Sequence, residues 1–154
     1  MRAIGLLCAA ILATACVRTS TNPATGKVDV DVESPTKQGE DWSGKMNGVG
    51  TYSGVSGETK ATHANGQTSI SISLSGAASG SSFPWAIHEG RCSMQGALVG
   101  TMSSYPPINI GPDGRGNATA TFPARLDEAK QYVVVVHQSH SMMETVVACG
   151  DLGD

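Results

Sequence analysis

The sequence predicts an all-β domain, built as an antiparallel sandwich or barrel. Three observations support this class: short segments in which apolar and polar residues alternate, turn-forming residues roughly every ten positions, and no convincing helix. Glycine accounts for 19 of the 154 residues, whereas aromatic side chains make up only 5%. Together with abundant Ser, Thr and Val, this composition favours short strands and turns over helices.

The individual strands follow from the local pattern. The clearest is QTSISISLSG, in which Ile70, Ile72 and Leu74 alternate with serines. Pro84 in SSFPWAIHEG indicates an edge or a bulge near the start of its strand. QYVVVVHQ is a continuous apolar run, typical of a strand that is buried on both faces or lies in a barrel wall. The remaining predicted strands are NGVGTYSGVSG, GETKATHANG, GALVGTM, the alternating segment with Ala118, Ala120 and Phe122, and ETVVACG.

The first 15 residues have the pattern of an export signal. Arg2 is followed by apolar or small residues up to Ala15, a stretch shorter than the roughly 20 residues that span a bilayer. The segment before Cys16 resembles a bacterial lipobox, although Ala13 stands where a larger aliphatic residue is usual. The resemblance implies cleavage before Cys16, lipid on its sulfur and attachment to a membrane of the cell envelope. The alternative is ordinary signal cleavage nearby, which leaves a soluble exported protein.

Export determines how the four cysteines are interpreted. Cys8 leaves with the signal and Cys16 is the predicted lipid site, so Cys92 and Cys149 remain. In an oxidising compartment, two cysteines in one small domain most often pair. Removal of Arg2 leaves nine of the ten basic residues against 13 acidic ones, a net charge of −4. This balance argues against nucleic acid, which requires a basic patch.

Residues 16–44 are polar and rich in turn formers, and we interpret them as a tether that leads to a single folded domain at 45–154. One segment of the tether departs from this pattern. Val28, Val30 and Val32 alternate with acidic residues, which predicts a strand that could pair at a sheet edge.

Four segments carry a resemblance to a known family. WAIHEGRC, YPPINIGPDGRGNATATFPARL, and YVVVVHQS followed by VVACGDL are similar to sequences of copper/zinc superoxide dismutases. Their order and spacing are kept from about residue 67 to the C-terminus. The resemblance implies an eight-stranded Greek-key β-barrel, of the superoxide dismutase-like type, with a Cys92–Cys149 disulfide.

The metal ligands of that family carry over only in part. His88 and His137 match two copper histidines, but Ala86 stands at the position of a third. No histidine lies between Cys92 and Asp113, where the resemblance places the bridging and zinc-binding residues. Val146 occupies the position of the arginine that guides superoxide. Two histidines bind copper poorly, and without the arginine no local positive charge attracts an anion. We therefore expect no efficient dismutase activity.

The histidines also support a different prediction. His88 and His137 on neighbouring strands could hold copper, with His140 as a further ligand. Thioether sulfur suits Cu(I), and the methionines that could contribute it are Met142 and Met143, with Met94 and Met102 on the segment after Cys92. The alternative is that both histidines are hydrogen-bonded at strand ends and the methionines fill the core. The sequence thus leaves three hypotheses: a structural or binding module of the envelope, a copper-binding protein, and a residual superoxide dismutase.

Overall fold

The computed structural model describes residues 16–21, 28–33 and 41–153. The predicted signal peptide at 1–15 lies outside these residues. The chain divides into two compact units between Gln38 and Gly39. In the first unit, β1 (Cys16–Thr21) pairs antiparallel with β2 (Val28–Glu33), so that Cys16 lies opposite Glu33. The strand predicted from the alternating valines is therefore present, and its partner is β1.

The second unit consists of strands joined by turns and two short 3-10 helices. Its strands are β3 (Asp41–Gly48), β4 (Ser56–Ala64), β5 (Gln67–Ser75), β6 (Ser82–Phe83), β7 (Trp85–Arg91), β8 (Met94–Leu98), β9 (Ile108–Asn109), β10 (Gly116–Phe122), β11 (Tyr132–His137) and β12 (Val146–Leu152). The 3-10 helices are η1 (Gly50–Tyr52) and η2 (Met102–Ser104). Strands make up 55% of the chain, which confirms the all-β prediction.

Eight of these strands form one curled antiparallel sheet. Their order is β10-β5-β4-β3-β12-β11-β7-β8. β6 and β9 pair separately, because Pro84 lacks an N–H and interrupts the strand between β6 and β7. The predicted domain boundary at residue 45 falls inside β3, which begins at Asp41. Trp42 on this strand is buried and makes an edge-to-face contact with Tyr132.

The core follows the alternation of the sequence. In β5 the residues Ile70, Ile72 and Leu74 are buried, while Ser71 and Ser73 between them are exposed. The period-two pattern therefore assigned the inward face of this strand correctly.

The valine run of β11 is buried on both faces, as its continuous apolar pattern predicted. Val134 and Val136 belong to the main core, whereas Val133 and Val135 pack with Cys149 in a second, smaller cluster. β11 lies inside the sheet, between β12 and β7. Both of its backbone edges are therefore paired and both of its faces are covered, which accounts for its fully buried side chains.

A disulfide joins Cys92, just after β7, to Cys149 in β12, with the two Cα atoms 5.8 Å apart. The predicted pairing of these cysteines is confirmed. The bond closes a loop with a sequence separation of 57. In the chain-entropy model, such a loop contributes about 4 kcal/mol by restricting the unfolded chain. Asp151 adds a second link, because its carboxylate accepts a 2.7 Å hydrogen bond from the Cys92 backbone N–H.

The two faces of β5 predict opposite mutational outcomes. We expect Ile72→Ala to lower the free energy of unfolding by about 2–5 kcal/mol, since it removes buried methyl groups and leaves a cavity. Ser73→Ala, one residue along on the exposed face, should change it by no more than about 0.5 kcal/mol. Urea unfolding of both variants measures the difference. Equal destabilisation by the two substitutions would contradict the assigned faces.

Candidate metal site

The pairing of β7 with β11 determines where the two candidate histidines lie. His88 is opposite Val133, and Ala86 is opposite Val135. His137 ends β11 at a bulge in its pairing with β12, and its backbone N–H donates to the Pro84 carbonyl at 2.9 Å. The two rings approach with centroids 6.4 Å apart and planes inclined at 71°. The structure thus brings together the two histidines that the sequence singled out.

His88 is held in one tautomer by its neighbour. Its Nδ1 lies 3.1 Å from the carbonyl oxygen of Gly96. A carbonyl oxygen can only accept a hydrogen bond, so Nδ1 must carry the proton. In the neutral ring, Nε2 then carries the lone pair, and this nitrogen is buried without a hydrogen-bond partner.

His137 is more deeply buried, with only 4% of its surface exposed. Neither of its ring nitrogens makes a hydrogen bond of ordinary geometry. Burial lowers the pKa of His137. A polar contact with the backbone of Met143 raises this pKa, and repulsion from the His88 charge lowers it further. Burial therefore favours the neutral form of the ring, which is the form that binds metals. Buried polar atoms are normally satisfied, so the three unpartnered nitrogens of this pair require an explanation.

An open groove borders the histidine pair. Its lining residues are His88, Gln95, Leu98, Met102, His137, Met143, Glu144 and Val146. Met102 and Met143 are half-buried, whereas Glu144 is exposed. Two of the methionines proposed from the sequence therefore accompany the histidines in this groove.

The other proposed ligands lie elsewhere. His140 is exposed in the turn after β11 and is not part of the groove lining. Met142 and Met94 are also outside the lining and are 47% and 78% exposed. Gln95, Leu98 and Glu144 were missed by the sequence reasoning, because their place in the groove depends on how β8 and the β11–β12 turn are routed. The sequence contains no pattern that would have identified them.

The copper–zinc pair implied by the family resemblance does not fit these residues. Ala86 supplies no ligand on β7. Across residues 16–21, 28–33 and 41–153, no group of three or more His, Cys, Asp or Glu side chains is placed to hold a metal ion. Val146, at the position expected for an anion-guiding arginine, contributes only apolar surface to the groove. The arrangement offers two imidazoles and neighbouring thioethers, a ligand set that suits a soft cation.

Comparison with known proteins adds no assignment for this groove. No protein-family model and no curated protein matches the chain. The resemblance to superoxide dismutases accordingly remains a prediction that rests on the residues quoted above. In the part of the chain that the structure describes, no helix is both long and apolar enough to cross a membrane.

The buried His137 predicts a pH-dependent stability. Its pKa in the folded chain lies below the ordinary value of 6.5, so below that pH the unfolded chain binds more protons than the folded one. The stabilisation is fully present above about pH 6.5 and is lost as the pH falls towards the folded pKa. Urea unfolding of wild type and His137→Leu between about pH 7.5 and pH 5 measures this effect, and the variant should lose less stability on acidification. The exposed His140→Leu is the matched control. A His137→Leu slope equal to that of wild type would refute the prediction.

Proposed function

We propose that this protein is an exported envelope lipoprotein with a superoxide dismutase-like domain. The domain acts as a structural or binding module and lacks efficient dismutase activity. The observation that carries the proposal is the histidine pair itself. His88 and His137 match two copper histidines of the superoxide dismutase family, but Ala86 stands on β7 where the resemblance expects a third.

The order of the strands supports the superoxide dismutase-like topology. β3, β4 and β5 are consecutive antiparallel neighbours, and β12 returns from the far end of the chain to lie beside β3. A Greek key likewise returns a later strand to lie beside the first of three hairpin-connected strands, and this likeness supports the proposed topology. The disulfide between Cys92 and Cys149 is the one that the resemblance implies.

The charge of the groove argues against dismutation. Superoxide is an anion, and a site that draws it in needs local positive charge. The groove has Val146 where an arginine is expected, and Glu144 adds a carboxylate at its exposed side. In addition, two imidazoles are too few to hold copper through repeated changes of oxidation state.

Copper binding by His88 and His137 is the second candidate. It is favoured by the three buried histidine nitrogens that lack hydrogen-bond partners, since a bound cation would satisfy the lone pair of His88 Nε2 and the one lone pair of a neutral His137 ring. A residual dismutase is the third, and it requires copper bound in a form that can be oxidised and reduced.

One preparation distinguishes the three. The protein is purified from cells supplemented with copper and zinc, its metal content is measured, and its consumption of superoxide is compared with that of free copper at the same concentration. We expect consumption no faster than that of free copper. Stoichiometric copper that disappears with His137→Ala but persists with the exposed His140→Ala would support the second candidate. Consumption well above that of free copper would overturn the proposed lack of activity.

The membrane attachment has its own test. We expect the exported wild-type chain to partition into the detergent phase and the Cys16→Ser variant into the aqueous phase, because a thioether-linked lipid requires the Cys16 sulfur. Mass spectrometry of the N-terminal peptide gives the lipid mass directly. Identical partitioning of both forms, with an unmodified Cys16, would leave only the soluble exported alternative.

A further inference from the structure

We propose that the groove beside His88 and His137 is a cuprous site, in which the thioethers of Met102 and Met143 complete the ligand set and select Cu(I) over Cu(II) and Zn(II). This inference rests on the second candidate, copper binding by the histidine pair. It names the oxidation state and the sulfur ligands, and it departs from the four-histidine copper and neighbouring zinc that the family resemblance implies.

The first argument is the spacing of the two rings. A metal-bound imidazole nitrogen lies about 2 Å from the ion, and the ring adds about 1 Å to its centroid, so two rings on one ion have centroids up to about 6 Å apart. The observed separation is 6.4 Å. This separation is slightly above the limit, so the proposal requires a side-chain movement that brings the two rings closer together.

The second argument is the orientation of the donors. The Gly96 carbonyl fixes the Nδ1 proton of His88, so the free lone pair of this ring is on the buried Nε2. A backbone carbonyl that anchors the opposite nitrogen is the usual second interaction of a metal-binding histidine. His137 offers a buried nitrogen from the neighbouring strand without competition from any hydrogen bond of ordinary geometry.

The third argument is the softness and charge of the remaining ligands. Met102 begins η2 and Met143 lies in the turn before β12, and both line the groove. Thioether sulfur prefers Cu(I) among the common biological metals. Imidazole and thioether are both neutral, and the one carboxylate that lines the groove, Glu144, lies at its exposed side. A monovalent ion is less costly to desolvate than a divalent one, and the same ligand set therefore disfavours Cu(II) and Zn(II).

The test is a Cu(I) titration of the full exported protein against a chromophoric Cu(I) chelator. Ascorbate is the reductant, which keeps the disulfide intact. We expect one Cu(I) per chain, and we expect Met102→Leu/Met143→Leu to weaken Cu(I) binding roughly tenfold or more, about 1.4 kcal/mol. The control Met94→Leu/Met142→Leu changes two exposed methionines outside the lining and should leave affinity unchanged. Zn(II) affinity should be weak and the same in all forms.

X-ray absorption of the Cu(I)-loaded wild type gives a second readout that needs no variant, and we expect sulfur scatterers in addition to nitrogen. A nitrogen-only shell, or equal Cu(I) affinity in both double variants, would overturn the thioether assignment. If His137→Ala nevertheless abolishes Cu(I) binding, copper binding by the histidines is retained and only the thioether ligands are rejected. If the wild type binds no Cu(I), the cuprous site and copper binding by the histidine pair are both rejected. The proposal of a structural or binding module without dismutase activity is not affected by that result.

Discussion

The structure depends on the burial of β11 on both of its faces. Val134 and Val136 face the main core, and Val133 and Val135 face the cluster that includes Cys149. Each fully buried aliphatic side chain contributes about 1.5–3 kcal/mol from apolar surface removed from water. Since β12 and β7 pair with the two edges of β11, its burial also fixes the strands that carry Cys149 and His88.

The histidine pair is a consequence of this packing. β11 places His137 at its buried end, and the antiparallel neighbour β7 supplies His88 from the same side of the sheet. The Gly96 carbonyl accepts a hydrogen bond from His88 Nδ1, whereas the backbone of Met143 offers His137 a weaker polar contact and leaves its ring nitrogens without a well-formed hydrogen bond. An uncompensated buried polar atom costs about 1–3 kcal/mol, so the fold maintains these rings at a cost that a bound cation would offset.

The charge of the groove bears on what it can admit. Val146 contributes apolar surface, and the carboxylate of Glu144 repels an anion while tolerating a cation. The Cys92–Cys149 disulfide keeps β12, and with it the Val146 side of the groove, attached to the segment that follows β7.

The sequence by itself determined the all-β class, the inward face of β5, the two-sided burial of β11 and the pairing of Cys92 with Cys149, because these depend on local alternation and on cysteine count. It also identified His88 and His137. The tertiary structure alone decided that Met102 and Met143 line the groove while His140 does not, because a loop residue's position depends on how the chain is routed between strands. Likewise, hydrogen bonding and burial of a ring nitrogen depend on distant backbone such as Gly96, and no local pattern encodes that contact.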